Sequence, residues 1–330
     1  NFETRTSTIH CSVIMFAAGA LVAAARSQAN DAPDVSNVLP HERGSVGRHL
    51  TALRKAAPGV QATLAWSGLT VEARAVSDDA AAPPRGSNRK KVYFIRHGQG
   101  LHNAAQKAWR EDPSWDGKSE PYTLDTDPEY KLIDPVLTTQ GKREAEALQP
   151  RAAALAPELM IVSPMRRATQ TGLLAFEQHV KDGLPVVACE LVHEISGKHT
   201  CDKRLPVAQL KELYPMIDYG GIRSEEDPFW GDGRRRERWD ELGHRAAGFL
   251  QWLEGREEQH IVVACHSAIL GAVFNAALLY GTAADAAALR AWYHTGEMRT
   301  VELTFNRGPR GIVTRAGLYA AHLWHSLGPA

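Results

Sequence analysis

Lys91-Val92-Tyr93-Phe94-Ile95-Arg96-His97-Gly98-Gln99-Gly100-Leu101-His102-Asn103 is the stretch on which the reading of this chain turns. The apolar run from Val92 to Ile95 is long enough for a strand buried on both faces, as parallel sheets require. Arg96 and His97 stand at its carboxyl end, and Gly98 and Gly100 allow a sharp turn there. Ligands of open α/β sheets lie just beyond the carboxyl ends of strands. An arginine beside a histidine at such a point predicts an anion site that contains a nucleophile.

Three later runs repeat the pattern. Leu159-Met160-Ile161-Val162 leads into Ser163-Pro164-Met165-Arg166-Arg167, residues 185–192 lead into His193-Glu194, and Ile261 to Cys265 leads into His266-Ser267. Helical spacing predicts helices over 104–110, 142–155, 168–178, 235–254 and 268–279, with a short piece at 207–213. Thr138 or Thr139 is suited to cap the second of these, and Pro150 should interrupt it. Residues 298–305 alternate as an edge strand would, 312–324 form a weak last element, and 111–135 and 195–234 read as long excursions. Apolar runs separated by helices predict an α/β fold, a three-layer αβα sandwich with a mostly parallel sheet and helices on both faces.

Composition narrows the function. Lys plus Arg and Asp plus Glu both number 38 in 330 residues, so there is no net charge to drive nucleic-acid binding. Cys11, Cys189, Cys201 and Cys265 are too irregular for a zinc site or a disulfide framework. The alanine-rich run 11–25 is shorter than the ~20 residues that span a bilayer, so no stable span is expected. With Ser27-Gln28-Ala29 after it, residues 1–29 are read as a targeting segment of secretory or organellar type. Residues 30–89 are read as an extension and linker without assigned chemistry, 90–308 as the main domain and 309–330 as a tail. The oligomeric state is left open.

Parallel strands bring their carboxyl ends to one edge of the sheet, so Arg96, His97, Arg166, Glu194 and His266 should meet in one pocket. Two guanidiniums offer forked donors to a phosphate dianion, and a helix starting after Gly98 should aim N–H groups at the same anion. A histidine, with an ordinary pKa of about 6.5, can attack phosphorus while neutral. A second, charged histidine can stabilise the transferring oxygens, and a carboxylic acid can protonate the departing alkoxide. Such a site needs no metal and no cofactor, and its partner is a small phosphorylated substrate.

Arg96-His97-Gly98, Ser163-Pro-Met-Arg-Arg-Ala-Thr-Gln-Thr171, His193-Glu194 before Gly197, and His266-Ser267 resemble, in order, the motifs of the histidine phosphatase superfamily, also called phosphoglycerate mutase-like. Arg-His-Gly-Gln-Gly-Leu-His-Asn and Cys201-Asp202-Lys203-Arg204 are similar to its plant and fungal branch. The resemblance implies that His97 becomes phosphohistidine, that Arg96, Arg166 and His266 clamp the phosphoryl group, that Asn103 assists, and that Glu194 is donor and then base. It also implies a cytoplasmic catalytic domain, against the organellar or secretory route that a targeting segment would give. Gln99 stands where mutases of the family usually carry Glu, and Leu101-His102-Asn103 replaces their Trp-Asn pair, which favours hydrolysis. Gly98, His102, Lys203 and Arg204 are further candidates for substrate contact, although loop residues of this kind are as often merely polar. Arg234-Arg235-Arg236 is read as a solvated helix start. The expected activity is that of a metal-independent phosphomonoesterase; the alternatives are mutase-type transfer and a catalytically silent phospho-ligand binding module.

Overall fold

The apolar runs become strands because each is flanked by helices that cover both of its faces. The computed structural model of the chain describes residues 32–38 and 42–308. The strands are β1 (Leu69–Ala75), β2 (Arg89–Arg96), β3 (Leu159–Val162), β4 (Val186–Ala188), β5 (His260–Cys265), β6 (Leu279–Tyr280) and β7 (Met298–Arg307). They form one sheet in the order β4-β3-β5-β2-β7-β1-β6. Every neighbouring pair is parallel except those of β7 with β2 and β1. Alternate residues of β2 enter different cores, Val92 and Phe94 on one face, Tyr93 and Ile95 on the other. This is the period of two that a pleated strand imposes.

The helices that shape the site are α1 (Arg43–Trp66), α2 (Leu101–Glu111), α3 (Thr139–Glu146), α4 (Arg166–Ala175), α5 (Trp239–Glu254) and α6 (Ser267–Ala272). Leu53, Val60 and Leu64 of α1 share one core with Leu242, Phe249 and Leu250 of α5. Ala175 of α4 and Leu210 of the helix Val207–Leu213 lie in the core on the other face. The expected layering is therefore present. No helix among the described residues is long and apolar enough to cross a membrane.

Two expectations are corrected. Residues 30–89 are not an appendage in the part described. β1 pairs along its whole length with β7, and Leu50, Leu53 and Leu64 of α1 are fully buried. A boundary near 90 would cut through this sheet and its core. Residues 298–305 are not an edge either, since β7 fills the space between β2 and β1. Its alternation misled because both faces of a central strand can still carry polar ends. Thr138 is the cap of α3, its Oγ1 accepting from the Gly141 amide at 3.0 Å, and Pro150 begins a separate helical turn, Gln149–Ala152. The targeting segment, the tail and the element at 312–324 lie outside the described residues.

Candidate active site

Sheet register sets the geometry of the site. β2 pairs with β5 so that Arg96 is level with Cys265, which brings His97 and His266 side by side one step later. Their ring centroids are 5.0 Å apart. β3 pairs with β5 through Val162 and Ala264, so Ser163 follows at the same edge, and its hydroxyl lies 2.8 Å from His266 Nε2. Glu194 arrives from beyond β4. Its Oε1 accepts from the Ile195 amide at 2.9 Å and the Ala268 amide at 3.1 Å, with Ser267 Oγ 3.3 Å from Oε2.

The turn after β2 is held by close backbone packing. A Cβ on Gly98 would stand 2.4 Å from the Gly141 carbonyl oxygen, and one on Gly141 would stand 2.1 Å from that of Gln99. Neither position tolerates a side chain without moving backbone. The N–H groups of the turn are consumed within the protein: Gly98 donates to Thr171 Oγ1 at 3.0 Å, Gln99 to Glu144 Oε2 at 2.8 Å and Gly100 to Asn103 Oδ1 at 2.9 Å. In α2 itself Leu101 donates to the Val136 carbonyl and Asn103 to the Gly100 carbonyl, both at 3.0 Å, so the expected cradle of several free N–H groups at its start is not formed. Gly98 serves by its lack of a side chain, and the Asn103 oxygen caps α2.

The second arginine is also corrected. Arg166 turns its Nε to the Asp134 carbonyl at 2.7 Å, with its Nη2 3.3 Å from that of Ile133. Arg167, one residue on, faces the histidines. Its side chain is 1% exposed, against 23% for Arg166. Arg167 donates to the Cys201 carbonyl at 2.7 Å and to Asp202 Oδ1 at 2.9 Å. The reason lies in helical periodicity: Ala168, Thr171, Gly172 and Ala175 mark the buried face of α4, and Arg167 shares that face.

Asp202 and Arg236 complete the arrangement, and neither was a candidate on sequence grounds. Asp202 Oδ2 accepts from Arg236 at 2.8 Å, so one buried carboxylate joins two guanidiniums. Burial pushes its pKa up, but Arg236 and Arg167 hold it well below the usual carboxylate range. The solvated reading of 234–236 holds for Arg234 and fails for Arg236. Arg204 is fully buried, pairs with Glu190 at 2.5 Å and donates to the carbonyls of Leu205, Ser224, Glu225 and Glu226. All its donors are used, so it is a structural tie and not a substrate contact. Lys203 lies over the Tyr130 ring at 5.5 Å. His102 does join the site, its ring centroid 5.7 Å from that of His97.

Electrostatics follow from this burial. His97 is held well below its ordinary pKa by burial, then by Arg167, His102 and Arg96. His266 is lowered by burial, then by Arg167 and His97, so in the unliganded site it is neutral and not the cation expected. Burial, then the Asp202 charge, raises Glu194 above the usual range for a glutamic acid. Arg96 Nε, Arg167 Nε, His102 Nδ1 and His266 Nδ1 are buried polar atoms without a hydrogen-bond partner among the described residues. Each such atom costs roughly 1–3 kcal/mol, a penalty that a phosphate oxygen would offset. His199, Cys201 and Asp202 bring ligand-type atoms within 4.8 Å of one another. They make a poor metal set, because Asp202 already serves two guanidiniums and burial pushes the Cys201 thiol up.

Comparison with known proteins agrees in sequence. The model of the histidine phosphatase superfamily (branch 1) matches residues 126–313, more than half of the chain. A phosphoglycerate mutase-like protein of Arabidopsis thaliana is 31% identical over 210 residues, which cover 55% of this chain and 72% of that one. Among solved structures, the alpha-ribazole phosphatase from Shigella flexneri is similar at 17% identity and a TM-score of 0.40, covering 68% of this chain and 99% of that one. The ecdysone phosphate phosphatase from Bombix mori, in complex with tungstate, is similar at 16% identity and a TM-score of 0.39, covering 57% of this chain and 76% of its own.

Proposed function

The chain belongs to the histidine phosphatase superfamily and is an enzyme of phosphatase or mutase-like type; on that premise we propose that it hydrolyses a small phosphomonoester through phosphohistidine at His97, without a metal. The observation that carries this reading is the hydrogen-bonding of His97. Its Nδ1 lies 2.7 Å from the Gly98 carbonyl oxygen, which can only accept. Nδ1 must therefore carry the proton, and the neutral ring keeps its lone pair on Nε2.

In the first step Nε2 of His97 bonds to phosphorus as the ester P–O bond breaks. Glu194, whose pKa burial and then the Asp202 charge raise, is the group placed to give a proton to the departing oxygen. Oε1 already accepts two amides, so the acid proton resides on Oε2. In the second step the Glu194 carboxylate takes a proton from water, the new O–P bond forms, and the N–P bond breaks. Arg96 and Arg167 meet the charge on the equatorial oxygens. Ser163 Oγ lies 2.8 Å from His266 Nε2 and His266 Nδ1 is without a partner among the described residues, so in the tautomer protonated on Nδ1 Ser163 donates to Nε2 and Nδ1 offers its proton to a phosphoryl oxygen. A dianion beside His266 favours its charged form, so the cationic role belongs to the liganded state.

Hydrolysis is separated from mutase action by assaying p-nitrophenyl phosphate and 3-phosphoglycerate with and without EDTA. The reading expects inorganic phosphate from the chelated enzyme and no 2-phosphoglycerate. Isomer formation without phosphate would replace it with the mutase, and ligand binding without turnover would replace it with the silent module.

A further inference from the structure

The His193 ring meets an acceptor at each of its two nitrogens. Nδ1 lies 2.8 Å from the Glu194 carbonyl oxygen, and Nε2 lies 3.2 Å from Asp227 Oδ2. A carbonyl and a carboxylate can only accept, so both nitrogens carry protons and the ring is an imidazolium. Neither side chain is exposed, so the two form an ion pair closed off from water.

The carboxylate is held in its charged form. Asp227 Oδ1 accepts from the Phe229 amide at 2.9 Å and the Trp230 amide at 3.1 Å, and Oδ2 accepts from the Arg204 amide at 2.9 Å. Burial pushes its pKa up, but the His193 charge and the Arg204 and Phe229 amides bring it down to about 2. Burial pulls His193 down, yet Asp227 and then Glu190 lift it above its ordinary value, against the charge of Arg245. Glu190 is itself paired with Arg204, and Arg245 with Glu237. After burial, Arg167 and His97, the His193 charge helps to keep His266 neutral.

What this pair holds is the backbone of the acid. The Glu194 carbonyl also accepts from Arg245 Nη2 at 3.0 Å, so two cations fix it, one from α5 and one from its own neighbour. Arg245 Nη1 holds the His193 carbonyl at 2.5 Å. With its main chain fixed in this way, Glu194 reaches the Ala268 amide at the start of α6. Asp227 comes from the 195–234 excursion, so that excursion decides where the carboxyl group points.

We propose that His193 is a positioning residue for Glu194, kept as a cation by Asp227, and that the buried pair aims the acid at the departing oxygen. This rests on the reading of Glu194 as proton donor and adds two residues that act only through its backbone. The first measurement needs no variant. Nitrogen NMR of the histidine rings is recorded at pH 7.5, where an ordinary imidazole, with a pKa of about 6.5, is about nine-tenths neutral. His193, assigned through its backbone resonances, should show two protonated nitrogens, while His97 and His266 show one each. A neutral His193 ring would overturn the proposal whatever the activity. The second measurement is the response of alkyl and aryl esters to substitution. H193Q places its amide nitrogen near the Nε2 position and leaves the Glu194 carbonyl without its ring donor. A general acid is worth about 10²–10⁴ in rate, so H193Q should lower kcat for glycerol phosphate at least about tenfold, leave KM unchanged and keep p-nitrophenyl phosphate within about threefold. H193N, whose amide nitrogen takes the place of Nδ1, should recover most of that loss. Equal slowing of both esters, or an H193N no better than H193Q, would show a merely structural role and reject the proposal. If Glu194→Gln itself does not discriminate between the two esters, the acid reading has failed and the positioning role falls with it, while the spectrum still decides the ion pair.

Discussion

Replacing Arg167 with Ala should cost far more than replacing its neighbour Arg166, although the two are adjacent and identical in type. Arg167 is fully buried, acts on both His97 and His266, and its Nε has no hydrogen-bond partner among the described residues. Removing one preorganised donor to a developing charge typically costs about 10²–10³ in rate. Arg167→Ala also takes one of two guanidiniums from the buried Asp202 carboxylate. Breaking a buried ion pair costs about 3–5 kcal/mol, and the lower end applies here because Arg236 still holds the other oxygen. Arg166→Ala loses a partly exposed guanidinium bound to loop carbonyls, while the Arg166 amide keeps its bond to Asp134 Oδ1 at 2.8 Å. The Arg166 Nε also lies 3.9 Å from the fully buried Asp134 carboxylate, so the main loss should appear as stability; because Arg167 and not Arg166 acts on the histidines, kcat/KM of the folded variant should fall by no more than about fivefold. Arg167→Lys should lie between the two, because an ammonium keeps the charge but not the fork. The assay is kcat/KM for p-nitrophenyl phosphate well below each variant's melting temperature. If a folded Arg167→Ala loses less than tenfold, or Arg166→Ala is the more damaged, the assignment is wrong.

Glu194→Gln should slow alkyl phosphates much more than p-nitrophenyl phosphate, whose leaving group needs little protonation. Turnover of alkyl esters by the wild type should fall as pH rises through the elevated Glu194 pKa, and a pH-independent rate would remove the acid role. Arg204→Ala should leave KM unchanged and lower stability by about 3–5 kcal/mol, since it strands the largely buried Glu190; calorimetric unfolding and steady-state kinetics separate the two effects. Burial, then Arg167, keeps His97, His102 and His266 neutral below their ordinary range. The unfolded chain therefore binds more protons than the folded one once pH drops toward about 6.5. Stability should be retained above that region and lost as pH falls below it, by up to about 1.4 kcal/mol per pH unit for each histidine. Urea midpoints that stay flat from pH 7.5 to 5.5 would contradict the buried neutral state.

How much of this was legible depends on which signal is followed. The apolar runs and the residues that end them were readable because parallel strands share an edge, and His97, His266 and Glu194 do converge there. Position at the strand end favours Arg166, but a side chain's direction is set by the helix that follows, not by the strand. Over the next helical turn, the small residues Ala168, Thr171 and Gly172 point to Arg167. Asp202 and Arg236 were hidden by their place in long excursions, where charge alone reads as solvated; only folding brings them onto Arg167. The amides after Gly98 were misread for a related reason, since a turn signal does not say which side chains will claim its donors. The role of α1 was invisible because its buried leucines carry no chemistry and signal only core packing.

The most direct test of the account is to mix the enzyme with substrate, stop the reaction in alkali within one turnover, and locate the phosphoryl group by peptide mass spectrometry and phosphorus NMR. The account predicts one acid-labile, base-stable phosphoryl group, on Nε2 of His97, because Nδ1 is bound to the Gly98 carbonyl. Phosphorus on Nδ1 or on another residue, or full turnover by His97→Ala, would contradict it.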